Sequence, residues 1–268
     1  MCDLLGLSFN VPIRAKISLD VFQQRGQANP DGWGLAFYKE LHLQIIKEPQ
    51  SALNSSLYDF MERYVHSNTI ISHVRRSTRG NPSYLNTHPF YRHLKTEYKD
   101  NEFAFAHNGT LIQLEKLHYE RYKPLGETDS EQAFCHVLDL MAELESTIWT
   151  ESDFNRIQED LREINDGQNT LNCIFSDGSY LFCYSDENDY NNGLRFISQS
   201  APFRSIELMS PEERLGNIEL RSEIPSSLDQ HGYLISTRIL TTEDWIEFNN
   251  GELIVFKDGH IVYPRSRC

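Results

Sequence analysis

Apolar positions in this chain follow two rhythms, and the switch between them sets out its architecture. From Thr128 to Ile164 they recur at intervals of three and four residues. Phe134, Val137, Leu138, Met141 and Leu144 form one stripe, opened by Thr128 and Glu131 as a capping box. Phe154, Ile157, Leu161 and Ile164 form a second, with Gly167 beyond its end. Two shorter helices are predicted earlier. One covers Ser18–Arg25 and is broken by Gly26; in the other, Leu57, Phe60, Met61, Tyr64 and Val65 share a face after the capping run Ser51–Ser56, a stripe whose spacing predicts core packing.

Elsewhere the apolar residues alternate or cluster in stretches of strand length. Cys2–Ser8 predicts a first strand; Asp31-Gly32-Trp33-Gly34 turns into Leu35–Tyr38, with His42–Lys47 returning beside it. Thr69–Arg75 and Phe103–His107 are further strands, the latter running into the turn signal Asn108-Gly109. After the helices come Thr170–Ser176, Tyr180–Ser185, Leu194–Gln199, Tyr233–Thr237, Glu252–Phe256 and His260–Tyr263, separated by polar or irregular loops at Glu187–Asn192 and Ser205–Gln230. Asp177-Gly178 and Asp258-Gly259 predict hairpins. A two-residue turn at the first sets Cys173 opposite Phe182 and sends Cys183 to the other face, so the two are not bridged. Strands, then helices, then strands, with no repeat or linker, predict one α+β domain over residues 2–268.

Composition narrows the function. A net charge of −14 over 268 residues excludes a sequence-independent grip on nucleic acid, which depends on neutralising phosphates. No apolar run spans a bilayer, and Met1 is followed by Cys-Asp rather than a basic and then apolar leader, so the expectation is a soluble, cytoplasmic protein. Five scattered cysteines form neither a disulfide framework nor a CxxC metal pair, and Cys135 falls within a helical stripe as core.

Candidate chemistry starts at Cys2. Removal of Met1 would leave one residue carrying both a thiol nucleophile and an α-amine able to act as its base; the alternative is a small buried residue on the first strand. Arg75, at a strand exit, suits bidentate contact with a carboxylate or is simply solvated. His88, before Pro89 in a loop, is a structural residue before it is a base. Asn108-Gly109 is either a plain turn or an amide and N–H aimed at one oxyanion. Asp129 sits in the first turn of the clearest helix, where it also complements the dipole.

In order along the chain, Met1-Cys2, Gln24-Arg25-Gly26, Asp31-Gly32-Trp33-Gly34, Ser72-His73-Val74-Arg75, Asn86-Thr87-His88-Pro89, His107-Asn108-Gly109 and Gly126-Glu127-Thr128-Asp129-Ser130-Glu131 resemble the class II glutamine amidotransferases, whose glutaminase domains are N-terminal nucleophile hydrolases. The opening residues and the Gly-Glu-Thr-Asp-Ser-Glu helix start are most similar to the stand-alone branch typified by bacterial YafJ proteins. The resemblance implies a four-layer αββα sandwich of two antiparallel sheets between helical layers. It implies catalysis by Cys2 through a γ-glutamyl thioester, with Asn108 and Gly109 holding the oxyanion. Arg75 would take the substrate α-carboxylate and Asp129 its α-ammonium, with Thr78 and His107 also in the substrate pocket and Arg25, Asp31, Gly32 and His88 in support. No metal and no organic cofactor are implied. Residues 76–79, Arg-Ser-Thr-Arg, depart from the aromatic residue and histidine of many biosynthetic members. The chain closes without room for a synthase domain, so the implied partners are glutamine or another γ-glutamyl molecule, a separate acceptor subunit, and further copies of the chain. Three readings stand: a glutaminase, a hydrolase of another γ-glutamyl amide or peptide, and a non-catalytic γ-glutamyl or partner-binding module.

Overall fold

The computed structural model describes residues 2–17, 30–76, 80–203, 205–209, 214–222, 225 and 229–268. The predicted helix at Ser18–Arg25, and with it Arg25, lies outside them, as does Thr78. Among the described residues the strands form two sheets. One has the order β13 (Ile246–Glu247), β9 (Arg195–Ser200), β12 (His231–Ser236), β1 (Asp3–Ile17), β4 (Ser67–Val74), β2 (Trp33–Lys39), β3 (His42–Glu48). The far half of β1 also pairs with β11 (Arg214–Arg221), which carries β10 (Ser205–Met209) beside it. The second sheet has the order β15 (His260–Tyr263), β14 (Leu253–Lys257), β8 (Leu181–Tyr184), β7 (Thr170–Ser176), β6 (Asp100–Thr110), β5 (Phe90–Lys95).

Both faces of these sheets are covered, which is why many strands read as continuous apolar runs. Along β1, Leu5, Leu7 and Phe9 face helix α1 (Ser56–Tyr64), while Leu4 faces the second sheet. Along β7, Leu171, Cys173 and Phe175 pack beneath α2 (Asp129–Glu143) and α3 (Glu151–Asn165), while Ile174 points between the sheets. Small residues bring the sheets together. Ala36, Ala104 and Ala106 line the inter-sheet core, and a Cβ on Gly6 would sit 3.3 Å from Ile174. The result is the expected αββα sandwich.

Four expectations are corrected. The Ser205–Gln230 segment is not wholly irregular, because its β10 and β11 extend the first sheet and draw β1 out to Ile17. Cys173 lies opposite Tyr184, not Phe182. The carboxylate of Asp177 accepts from the N–H groups of Ser179 and Tyr180 at 2.9 and 2.8 Å, widening the turn so that Ser176 pairs with Leu181. Moving the register by two residues preserves facing, so Cys173 and Cys183 still point apart and are free thiols. In α1 the buried stripe is Tyr58 (8% exposed), Met61 and Val65, whereas Phe60 (53%) and Tyr64 (62%) face out with Leu57. Two stripes were equally periodic; Ser55, capping the Tyr58 N–H at 2.9 Å, and the edge-on contact of Tyr58 with Trp33 select between them. Lastly, Asn108-Gly109 is no turn: both residues lie within β6, opposite Asn172 and Leu171. The predicted turn at Asp258-Gly259 does form, with both residues at positive φ (47° and 75°).

Candidate active site

Cys2 precedes β1, and the pairing of Asp3 with Val74 brings it against the exit of β4. There its sulfur accepts from the Arg76 N–H at 3.2 Å and donates to the Arg76 carbonyl at 3.3 Å. Burial pushes the thiol pKa up, opposed by the Arg76 N–H and the positive N-terminus. The thiol is therefore favoured over the thiolate. From the second sheet, Asn108 donates its side-chain amide to the Cys2 carbonyl at 2.6 Å. Gly109 is dictated by its partner strand, since a Cβ there would fall 2.0 Å from the Thr170 carbonyl oxygen and 2.5 Å from Nε2 of His107.

Arg75 is 2% exposed. Its guanidinium donates to the carbonyls of Asp31 and Gly80 at 3.5 and 3.3 Å, and its backbone N–H to Gly32 at 2.7 Å. The Asp31-Gly32 turn is thus the backbone partner of the arginine. Burial lowers the Arg75 pKa, while Cys2, Asp31 and Asp129 act in the opposite direction, placing these four groups in one electrostatic neighbourhood. Asp129, also buried, accepts from the Leu111 N–H at 2.7 Å. His107 spends both ring nitrogens inside the protein, on the Ser130 hydroxyl at 2.9 Å and the Thr170 carbonyl at 3.0 Å, and burial lowers its pKa.

The remaining motif residues support one another across the fold. Thr128 caps the Glu131 N–H at 3.2 Å, but Glu131 does not complete the capping box; its carboxylate takes the Gly126 N–H at 2.6 Å and Arg92 at 2.5 Å. Asn86 accepts from the Glu127 N–H at 2.8 Å, and a Cβ on Gly126 would lie 2.4 Å from that oxygen. The His88 carbonyl abuts Gly34, where a Cβ would come within 2.0 Å. The His88 ring packs tilted, at 38°, against His73, with ring centroids 4.3 Å apart.

None of the four ring nitrogens of that pair meets a hydrogen-bond partner in good geometry among the described residues. Burial lowers the His73 pKa to about 3, with Arg75 and His107 adding to it, and burial moves His88 the same way. The unfolded chain takes protons on these rings below about pH 6.5 whereas the fold refuses them. Stability is therefore full above that pH and lost as pH falls toward 3. For His73 alone the loss between pH 7 and pH 5 is about 2 kcal/mol. The urea midpoint is expected to fall over that interval at constant slope; an unchanged midpoint would contradict a buried neutral pair.

Sequence reasoning missed the loop after β8. Tyr190 is partly buried, and its phenol pKa is raised by burial, then by Cys2 and Asp186, which places it in the electrostatic surroundings of Cys2. Asn191 donates to Oδ1 of Asn108 at 3.1 Å. The available signal was the run Asp189-Tyr190-Asn191-Asn192-Gly193, rich in residues that tolerate positive φ. A separate cleft of about 690 Å³, lined by His118, His136, Asp139 and Asp160, opens in the outer helical layer between α2 and α3. Among the described residues no group of three or more His, Cys, Asp or Glu is arranged to hold a metal, and no helix is long and apolar enough to cross a membrane.

The family model of class II glutamine amidotransferases matches residues 1–267. An uncharacterized protein of Methanocaldococcus jannaschii is 40% identical over 271 residues, covering 100% of this chain and 72% of that protein. The Escherichia coli protein YafJ is 30% identical over 270 residues, covering 98% of this chain and 100% of its own. Among solved structures, a protein described as a predicted glutamine amidotransferase from Pseudomonas aeruginosa superposes with a TM-score of 0.73 at 27% identity, over 98% of this chain and 100% of that one. The glutamine phosphoribosylpyrophosphate amidotransferase of Bacillus subtilis, at a TM-score of 0.58 and 15% identity, shares the fold over 97% of this chain and 48% of its own.

Proposed function

The chain belongs to the class II glutamine amidotransferase family, and we propose that it hydrolyses the side-chain amide of glutamine with Cys2 as nucleophile once Met1 is removed. The α-amine then released on Cys2 is the base that the desolvated thiol needs. It takes the thiol proton as sulfur attacks the amide carbon and passes it to the departing nitrogen, which leaves as ammonia. The negative oxygen of the tetrahedral intermediate faces the Asn108 amide and the Gly109 N–H. Water then cleaves the γ-glutamyl thioester, the same amine serving as base, and glutamate departs. Arg75 takes the substrate α-carboxylate and Asp129 its α-ammonium, so a γ-glutamyl group is selected over other amides.

The observation that carries this reading is the meeting at Cys2 of a strand-held amide donor from the other sheet and the electrostatic influence of the buried Arg75, which also feels the buried Asp129. The nitrogen acceptor, in this reading, belongs to a separate synthase site. Intact mass before and after exposure to a glutamine-like diazoketone tests it, alongside ammonia release from glutamine and from γ-glutamyl peptides. A chain lacking Met1, carrying one adduct and preferring glutamine is expected. A chain that keeps Met1 and takes no label would overturn the mechanism, and preference for the peptides would overturn the substrate.

A further inference from the structure

The loop after β8 is held in an expensive conformation. Asp189, Asn191 and Asn192 have φ of 58°, 60° and 58°, followed by Gly193 at 62°. Non-glycine residues persist there only when their surroundings over-determine them. Here Asp186 does so: one carboxylate oxygen accepts from the N–H groups of Asn188 and Tyr190 at 2.8 and 3.0 Å, the other from Leu171 at 2.6 Å and the Asn165 amide at 2.9 Å. Asn172 adds a second anchor, accepting from the Asp186 N–H and donating to the Tyr190 carbonyl, both at 2.9 Å. Asn172 is also the cross-strand partner of Asn108. The loop is thereby fastened to the strand beside Asn108 and delivers the amide of Asn191 to Oδ1 of Asn108 at 3.1 Å.

A carboxamide has one accepting and one donating end, and the terminal torsion of asparagine is soft and nearly two-fold. Holding the oxygen from one side commits the nitrogen to the other. In Asn108 that nitrogen lies 2.6 Å from the Cys2 carbonyl; one of its two hydrogens is used there, and the second remains for an oxyanion. We infer that Asn191 is a positioning residue for the reaction, orienting the Asn108 carboxamide so that its nitrogen faces Cys2 and the developing negative charge. The inference rests on the oxyanion role proposed for Asn108.

Two variants test it. Asn191→Asp is isosteric and tolerates positive φ, but presents an acceptor to Oδ1, so the Asn108 amide turns its nitrogen away from Cys2. At pH 7.5 kcat with glutamine is expected to fall about 100-fold, with KM within about three-fold of wild type, as for loss of one oxyanion donor. As pH falls toward about 4, the ordinary aspartate value, a growing fraction of the carboxyl is protonated and donates to Oδ1 again, so the variant-to-wild-type ratio of kcat recovers. Asn191→Gly keeps the backbone and deletes the amide; it should lose about ten-fold at a ratio that does not change with pH. A merely structural role would not make the ratio recover in acid. Wild-type turnover matched by Asn191→Asp at every pH would overturn this inference alone. A wild-type chain that neither releases ammonia nor takes the diazoketone would remove the glutaminase reading and this inference with it.

Discussion

Cys2→Ala is expected to reduce ammonia release from glutamine by about 10⁴-fold or more, to the solution background, and to abolish diazoketone labelling. In the proposed mechanism the substitution removes the sulfur that forms the thioester. It leaves Arg75 and Asp129 in place, and alanine is small enough that Met1 should still be cleaved. Glutamine affinity by calorimetry should therefore stay within about three-fold of wild type, which separates lost chemistry from lost binding. In the proposed mechanism the base is the Cys2 α-amine, with an ordinary value of about 7.7–8.0, so kcat/KM should rise with pH through that region as the amine loses its proton. Retained Met1, or full turnover in Cys2→Ala, would refute an N-terminal nucleophile. Binding without turnover in the wild type, unchanged by the substitution, would identify a γ-glutamyl binding module instead.

Asn108→Ala should lower kcat by about 10²–10³-fold, equivalent to roughly 3–4 kcal/mol of transition-state stabilisation, with KM changed only a few-fold. In the proposed mechanism the donor acts where charge develops, so its loss is felt in the acylation step; single-turnover kinetics should show slow thioester formation and unchanged glutamine binding. Part of the loss comes from Cys2 itself, because the same amide holds the Cys2 carbonyl at 2.6 Å. A proportionate rise in KM with constant kcat would reassign Asn108 to ground-state binding.

Much of the fold was legible in short stretches. The Thr128 cap and the stripe from Phe134 to Leu144 marked α2, and Asp258-Gly259 marked its hairpin, because helix periodicity, capping and tight turns are decided by residues a few positions apart. The candidate site was legible as an ordered set of short motifs, and the structure gives them reasons that no single motif contains. Gly126 is small because Asn86 lies against it, and Gly34 because the His88 carbonyl does. Arg75 is held by the backbone of Asp31-Gly32.

The sequence by itself determined which segments are strands or helices along most of the described chain, and the ordered short motifs that the fold gathers around Cys2. These follow from local periods of 2 and 3.6 and from residue type. Only the tertiary structure decided which of two equally periodic faces α1 buries, how far the Asp177 side chain widens its turn, and that Ser205–Met209 and Arg214–Arg221 join the first sheet. It alone brought Asn191 to Asn108, 83 positions apart in the chain. Each of these outcomes depends on a contact between distant segments, whose free energy exists only after both backbones have been placed.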